Sequence, residues 1–295
     1  MKRYAMSFQK RLLAGDFVVL AEFDPPKGVD VSELFANIIR VKGRVDGVIV
    51  PEMAQAVMRM SALGGAALMQ QHGMETIMQV CSRDRNRLAL QGDILAAYML
   101  GVKNLLVVPG DEIMYGDHID ATPISDIDEL TLLRAIKGLE KGVDMAGMEL
   151  KGSPEFLTGC SIKGAKKEMA MEAELELAQR KVNEGAQFVI TPPVFNIPAF
   201  TYFMGKAKAL GVPVIATVFL LKSVGVARYF STNVPGPPIP DEMITRIRRA
   251  PDRIAECLAI AGELIIALKG LCQGVQVVTM GWENRLPVIL DAANV

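Results

Sequence analysis

The sequence predicts an α/β fold, a (β/α)8 TIM barrel formed by residues 1–295 as one domain, on the strength of three observations. Its 295 residues suit this fold, which typically takes about 250 residues plus extensions. Short β-branched runs alternate with longer amphipathic segments from end to end, as in βαβ units. Several helical segments end in glycine, which readily takes the left-handed conformation that closes a helix. An open doubly wound sheet stays the alternative, because strand count alone does not exclude it.

Eight apolar runs predict the strands in chain order. They cover residues 17–23, 47–50, 75–82, 104–108, 156–160, 188–191, 213–219 and 274–279. The segments between them predict helices over residues 31–41, 54–71, 85–100, 128–141, 166–184 and 252–269. The glycines expected to close helical segments are Gly73, Gly101, Gly142, Gly185, Gly211 and Gly270. Residues 234–240, rich in glycine and proline, predict a rigid loop within the domain.

Charge, hydropathy and cysteine spacing exclude several classes of partner and site. Lys and Arg total 32 against 33 Asp and Glu, so we expect no binding to nucleic acid. No apolar run approaches the roughly 18 residues of a membrane helix, and no signal-like segment begins the chain, so we expect a cytoplasmic protein without membrane insertion. The four cysteines include no C-x-x-C pair, which argues against a disulfide framework, a zinc knuckle or an iron–sulfur cluster in this chain.

The functional residues of a TIM barrel follow the carboxyl ends of its strands. Glu22 lies inside the first apolar run and is expected to point into the barrel mouth. Burial there raises a carboxyl pKa, which suits a general acid, although a Glu paired with a barrel Lys or Arg is the alternative. Asp111 follows the fourth strand, and Gly110 before it allows a ligand to approach the backbone closely.

Other strand ends contribute candidates for ligand binding. The third strand leads into a dense polar group that contains Gln79, Ser82 and Arg83, although helix capping by Ser82 or Asp84 would also explain part of it. Arg180 and Lys181 lie near the end of a predicted helix, where the alternative role of a cation is to complement the helix dipole. The remaining candidates are Pro51, Pro109, Gly116, Asp117, His118 and Pro192.

Motifs of several other enzyme classes are absent from the sequence. There is no G-x-G-x-x-G after a strand, no Walker-type G-K-[ST], no G-x-S-x-G elbow and no His/Cys cluster for a metal. Nucleotide hydrolysis, serine hydrolysis and zinc chemistry therefore lose their usual sequence support.

In their order along the chain, these strand-end residues resemble the methylenetetrahydrofolate reductase family from about residue 17 to the C-terminus. Residues 22–26 are similar to the family's E-F-x-P-P motif, and residues 82–86 resemble its C-R-D-R-N with Ser in place of Cys. The G-D pair at 110–111, the R-K-V stretch at 180–182 and the segments 221–225 and 279–283 extend the resemblance toward the acetogen-type subgroup.

The resemblance implies a flavin enzyme of one-carbon metabolism. It would reduce 5,10-methylenetetrahydrofolate to 5-methyltetrahydrofolate by hydride transfer from the flavin, with Glu22 as general acid and Asp111 beside flavin and folate. Residues 116–118 would contact the flavin, and Arg180 and Lys181 would hold its phosphate and ribose portion. FAD is the expected cofactor, with FMN as the alternative.

Two departures from the family pattern concern the electron donor. Pro192 stands where bacterial members carry a Gln that touches folate and nicotinamide, and Pro109 stands where they carry Arg or Thr. Because proline offers no side-chain hydrogen bond, we expect electrons from a partner subunit that bears an iron–sulfur cluster or zinc, rather than directly from NAD(P)H. We also expect an oligomer. The alternatives are a flavin- or folate-binding docking subunit of a larger electron-transfer complex, and an unrelated barrel lyase that binds a phosphorylated substrate.

Overall fold

Short parallel strands rich in β-branched residues form the centre of the protein. The structure is a computed structural model that describes residues 6–124, 126–164, 168–233 and 238–295. Within these residues, eight parallel strands close into a barrel in sequence order, and the last strand pairs with the first. The predicted (β/α)8 TIM barrel is therefore confirmed. The strands are β1 Val18–Glu22, β2 Gly47–Val50, β3 Thr76–Cys81, β4 Asn104–Val108, β5 Leu157–Ser161, β6 Phe188–Pro193, β7 Val214–Phe219 and β8 Gly274–Val278.

Helices surround the barrel, and many begin at a side chain that accepts hydrogen bonds from the first free backbone N–H groups. Asn86 caps α4 in this way, and Asp252 caps α10. No helix in the described parts of the chain has the length and apolar character needed to cross a membrane. The helices are α1 Phe8–Leu13, α2 Ser32–Val41, α3 Ala62–Gln71, α4 Arg87–Met99, α5 Glu129–Glu140, α6 Glu168–Asn183, α7 Ile197–Ala207, α8 Val224–Asn233, α9 Asp241–Arg249, α10 Arg253–Leu268 and α11 Leu286–Ala292.

The predicted helix over residues 54–71 is wrong in its first half. Only a 3-10 turn, Ala54–Ala56, forms there, and α3 begins later, behind the cap residue Ser61. The backbone N–H groups of Gln55 and Met58 donate to the carboxylates of Asp111 and Asp117 instead of to helical carbonyls. Tertiary hydrogen bonds thus outweigh the helical pattern of this segment.

Five of the six glycines expected to close helical segments have the positive φ that this role requires. Gly270 is the exception, because Lys269, the residue that follows α10, keeps a right-handed conformation and the chain continues in a turn. Helices α1, α8, α9 and α11 had no counterpart among the predicted elements, and α7 was indicated only by Gly211, the glycine expected to close a helical segment. The start of the helix predicted at 166–184 and most of the loop predicted at 234–240 lie outside the described residues.

Alternation along the strands divides the core into two layers. In β1, Val18 and Leu20 point into the barrel, whereas Val19 and Ala21 pack against the surrounding helices. Glu22 continues the inward set, so the same period that fills the barrel with apolar side chains directs this carboxyl into its upper end.

Helix α1 closes the opposite end of the barrel. Its Phe8 and Leu12 are fully buried among the inward side chains, and Phe8 packs edge to face on Phe188 with ring centroids 5.7 Å apart. The Phe8 backbone N–H also donates to Glu75 Oε2 at 3.0 Å. With the floor blocked by apolar side chains, the upper end is the side open to ligands.

We predict that Gly159→Ala destabilises the protein by about 1–3 kcal/mol. An added Cβ at this β5 position would lie 2.3 Å from the Phe188 ring, which is fully buried and held by Phe8. Urea denaturation would measure the change in unfolding free energy. Gly205→Ala, in α7 where nothing beyond the local helix backbone lies within 4 Å of the added Cβ, is the control and should be neutral or slightly stabilising. Equal stability of the two variants would contradict the prediction.

Candidate functional site

A cavity of about 900 Å³ opens at the carboxyl ends of the strands. That volume lies near the upper end of the range for small-molecule sites, roughly 300–1,000 Å³. The walls are formed by loops that follow β1, β2, β4, β5 and β8. The predicted site residues that line it are Glu22, Pro51, Gln79, Pro109, Gly110 and Asp111.

Glu22 ends β1 at the base of this cavity. Its Oε2 accepts a hydrogen bond of 2.5 Å from Nε2 of Gln276, a side chain of the adjacent strand β8. The pKa of the Glu22 carboxyl is raised from 4.5 to about 8, first by burial and then by the negative charges of Asp24 and Asp111. The hydrogen bond from Gln276 acts in the opposite direction, and Glu283 adds a further rise. At neutral pH Glu22 is therefore a neutral acid that can release a proton.

Gln276 was absent from the sequence candidates; it lies inside β8, two positions before the end of the strand. It is 5 % exposed and stands between Val275 and Val277, which face the helices. The sequence feature that could have identified Gln276 is that it is the one amide in an otherwise apolar strand. It occupies a position whose side chain must point into the barrel.

Asp24 and Arg59 contribute further charge to the cavity wall, and sequence reasoning missed Arg59 entirely. Their closest approach is 3.5 Å between Arg59 Nη2 and Asp24 Oδ2. Burial raises the pKa of the Asp24 carboxyl, whereas Arg59 lowers it. Asp24 is two residues beyond Glu22, so its charge acts directly on the acid.

Two loops with unusual backbone geometry flank Glu22. Of the non-glycine residues that the structure describes, five have a positive φ, and four of these are Met53, Gln55 and Ala56 after β2 and Met280 after β8. Because β2 and β8 are the neighbours of β1, the loops come together at the barrel mouth, where Gln55 Nε2 lies 3.6 Å from Met280 Sδ. Left-handed backbone in non-glycine residues is costly and is concentrated at functional sites.

The loop after β4 supports the one after β2. Asp111 accepts a hydrogen bond from the Gln55 backbone N–H at 2.6 Å and is itself exposed. Gly110 has a φ of +79°, and an added Cβ would lie 2.4 Å from Cys81 Sγ. Glycine is therefore required at this point of the cavity wall.

Ser82 and Arg83 lie behind the wall rather than in it. The guanidinium of Arg83 donates to the Asp111 carbonyl at 2.8 Å and to both Asp84 oxygens, so it holds the β4 loop in place. The cap of the following helix is Asn86, so the alternative of capping by Ser82 or Asp84 is wrong.

Gly116, Asp117 and His118 also lie outside the cavity lining. Asp117 bonds Lys27, the Met58 N–H at 2.9 Å and His118 Nδ1 at 2.8 Å. These interactions, with Lys27 the strongest, hold the pKa of the Asp117 carboxyl well below its usual range. The segment thus fastens the β2 loop, and its predicted contact with a flavin stays a prediction.

Comparison with known proteins adds the decisive observation. The sequence model of the family described as methylenetetrahydrofolate reductase matches residues 7–294, nearly the whole chain. This chain belongs to the methylenetetrahydrofolate reductase family. The expectation drawn from the strand-end motifs is therefore confirmed at the level of the family.

Solved structures share the fold of this reductase family member at low sequence identity. An uncharacterized protein from Clostridium thermocellum that binds two copies of 5-methyl-5,6,7,8-tetrahydrofolic acid has a TM-score of 0.63 and 15 % identity, with 97 % of this chain and 98 % of that chain covered. A 2,3-dimethylmalate lyase of the PEP mutase/isocitrate lyase superfamily has a TM-score of 0.54 and 9 % identity, with 97 % and 81 % covered. At such identities these likenesses concern the barrel alone.

The other residues that resemblance to the reductase family suggested lie away from the lining. Lys181 is buried, and its Nζ bonds Glu129 at 2.7 Å and the Ser161 carbonyl at 2.9 Å. Arg180 is exposed on α6, and Pro192 lies near the end of β6. Their contacts with flavin or folate stay predictions.

Glu52 is a further residue of the cavity lining that the sequence candidates omitted. Its side chain is buried, and its two oxygens accept from Arg85 Nη1 at 2.8 Å and from the Ala62 N–H at 2.7 Å. Its backbone N–H donates to Gln79 Oε1 at 3.3 Å, which orients that amide at the cavity wall. Its position two residues after the end of β2 was the signal that could have identified it.

We predict that Glu22→Gln is more stable than the native protein at pH 8 and that the difference disappears toward pH 4.5. Between these values the folded protein retains a proton on Glu22 that the unfolded chain has released, so native stability falls with rising pH. The slope is at most about 1.4 kcal/mol per pH unit. Urea denaturation across this range measures it, with the exposed Glu112→Gln as control. Parallel curves for native protein and Glu22→Gln would refute the raised pKa.

Proposed function

We propose that this protein reduces 5,10-methylenetetrahydrofolate to 5-methyltetrahydrofolate with a bound flavin. The observation that carries the proposal is Glu22, a neutral acid at the base of the cavity in a chain of the methylenetetrahydrofolate reductase family. The binding of 5-methyl-5,6,7,8-tetrahydrofolic acid by the structurally similar Clostridium thermocellum protein supports a folate as the ligand of such a barrel.

The cavity suits the flavin on which members of this family generally depend. Its volume of about 900 Å³ can accept a large ring system, and Gly110 keeps one wall free of a side chain. The residues that would hold the flavin are Gln79, Pro109, Gly110 and Asp111, with Pro51 beside them. FAD is the flavin we propose, and FMN is the alternative. When bound, the flavin supplies the hydride that turns the methylene carbon into a methyl group.

Glu22 supplies the proton for the same reduction. When the bond between the methylene carbon and N10 of the folate breaks, N10 must gain a proton, so one hydride and one proton complete the reaction. A carboxyl with a pKa of about 8 retains its proton at neutral pH and still releases it readily. The partly enclosed base of the cavity restricts water around the acid, which strengthens the influence of nearby charges.

We propose that electrons reach the flavin from a partner subunit. Pro109 lies in the cavity wall, and neither it nor Pro192 offers a side-chain group to hold a nicotinamide. The exposed Met114, Tyr115 and Ile119 in the loop after β4 give the same end of the barrel an apolar surface. This surface also supports a second candidate function, a flavin- or folate-binding docking subunit of a larger electron-transfer complex that has no turnover of its own.

The visible spectrum tests the proposed function directly. The purified protein should show flavin absorbance, and anaerobic addition of 5-methyltetrahydrofolate should bleach it as electrons pass back from the folate to the flavin. A colourless protein that takes up neither FAD nor FMN would remove the proposal. A flavin that the folate leaves oxidised, although an artificial one-electron donor reduces it, would favour the docking subunit.

Glu22→Gln should bind flavin normally and lose folate reduction by about 100-fold or more, since general acid catalysis typically contributes that much. Turnover is followed with an artificial electron donor between pH 6 and 9, and flavin content is read from the absorbance. Native activity should decline above about pH 8 as Glu22 loses its proton. Glu112→Gln is the matched control, because that side chain is exposed and lies outside the cavity. Near-native turnover of Glu22→Gln would take the acid role from this residue.

A further inference from the structure

Gln276 is the one side chain that forms a hydrogen bond with the Glu22 carboxyl among the described residues. The pairing of β1 with β8 sets Gln276 opposite Leu20, one inward position below Glu22. From there its amide reaches up along the barrel wall, and Nε2 lies 2.5 Å from Oε2 of Glu22. Gln276 itself is buried between two strands, so its range of positions is narrow.

The chemistry of this hydrogen bond distinguishes the two oxygens of Glu22. An amide nitrogen can donate a hydrogen bond but has no lone pair available to accept one. With Nε2 of Gln276 facing Glu22, Oε2 is the acceptor whether Glu22 is charged or neutral. A carbonyl oxygen is a stronger acceptor than a hydroxyl oxygen, so the single proton of neutral Glu22 is favoured on the other oxygen, Oε1.

We propose that Gln276 is a positioning residue that holds the proton of Glu22 on Oε1 and fixes the direction in which the acid presents it. The inference rests on the proposed function, in which that proton is delivered to the folate. Without Gln276 the carboxyl could carry the proton on either oxygen and rotate, so only part of the protein would present the acid correctly.

Gln276 also limits the rise in the pKa of Glu22. The charged groups that face Glu22 are Asp24 on the continuation of β1, Asp111 after β4 and Glu283 after β8, and all three raise its pKa. Arg59, the cation of the β2 loop, lies against Asp24. Gln276 opposes burial and these carboxylates by stabilising the charged form, which keeps the pKa near the pH at which an acid catalyst is most effective.

Gln276→Met tests the inference because it removes the donor while nearly conserving volume. Infrared difference spectra against Glu22→Gln isolate the C=O band of the protonated Glu22 in the native protein and in Gln276→Met. The band should move to higher frequency in Gln276→Met, as expected for a carbonyl without a hydrogen bond. Its titration midpoint should rise by about one pH unit, a tenfold change in the ionisation equilibrium.

Turnover provides the second measurement. For Gln276→Met at pH 7 we expect kcat to fall about tenfold, KM and flavin content to stay unchanged, and the alkaline limit of activity to move upward. In the Glu22→Gln background the same substitution should have no additional effect, because both changes act on one proton. A residue that merely filled space would change none of these pH dependences.

A control variant tests whether the effect is specific to Gln276, and a second variant replaces Gln276→Met if that protein does not fold. Thr158→Val replaces another buried polar side chain of the barrel, whose Oγ1 has no hydrogen-bond partner, and should leave the Glu22 band and its midpoint in place. If Gln276→Met does not fold, Gln276→Asn serves instead, because its amide is one methylene too short to reach Oε2.

An unchanged band and midpoint in the folded variant would overturn the inference. Because the infrared measurement needs neither flavin nor folate, it reports on Gln276 even if the native protein shows no reductase activity. A native protein that neither binds flavin nor reduces folate would overturn the proposed function, and with it the catalytic meaning of the proton position, whatever the infrared result. A normal native enzyme with an unaltered Gln276→Met variant would overturn only the role of Gln276.

Discussion

Pairing between the first strand and the last closes the barrel, and the candidate site depends on that closure. Glu22 and Gln276 are 254 positions apart in the chain, yet the β1–β8 register brings their side chains to 2.5 Å. The same pairing places barrel wall beside the carboxyl, and this burial raises its pKa. If the same strand order stayed open, β1 would be an edge strand without its pairing to β8.

The loops that follow the strands form the walls of the cavity at the upper end of the closed barrel. Carboxylates of the β4 loop, Asp111 and Asp117, hold backbone N–H groups of the β2 loop, whose residues Met53, Gln55 and Ala56 adopt left-handed conformations. Each such conformation costs roughly 1–2 kcal/mol, so the loop persists only because surrounding contacts determine it. The rigid barrel beneath the loops holds these left-handed conformations in place.

For this protein, similarity of fold and similarity of site support different conclusions. A folate-binding protein and a lyase share the barrel at 15 % and 9 % identity, which is expected of a fold that hosts many chemistries. Family membership rests on the match over residues 7–294, and the chemistry proposed for it rests on Glu22 in its cavity. The proposed reaction thus rests on family membership and on one carboxyl with its surroundings, and not on the barrel architecture.

Hydrophobic periodicity by itself predicted the eight strands and the inward direction of Glu22, because a period of two fixes which face of the sheet a side chain takes. It also pointed to Gly110 and Asp111 at a strand end. Only the tertiary structure decided that residues 54–61 do not continue a helix and that Gln276 bonds the acid. Both outcomes depend on contacts between distant segments, such as β1 with β8, and local sequence patterns hold no information about which distant groups will meet.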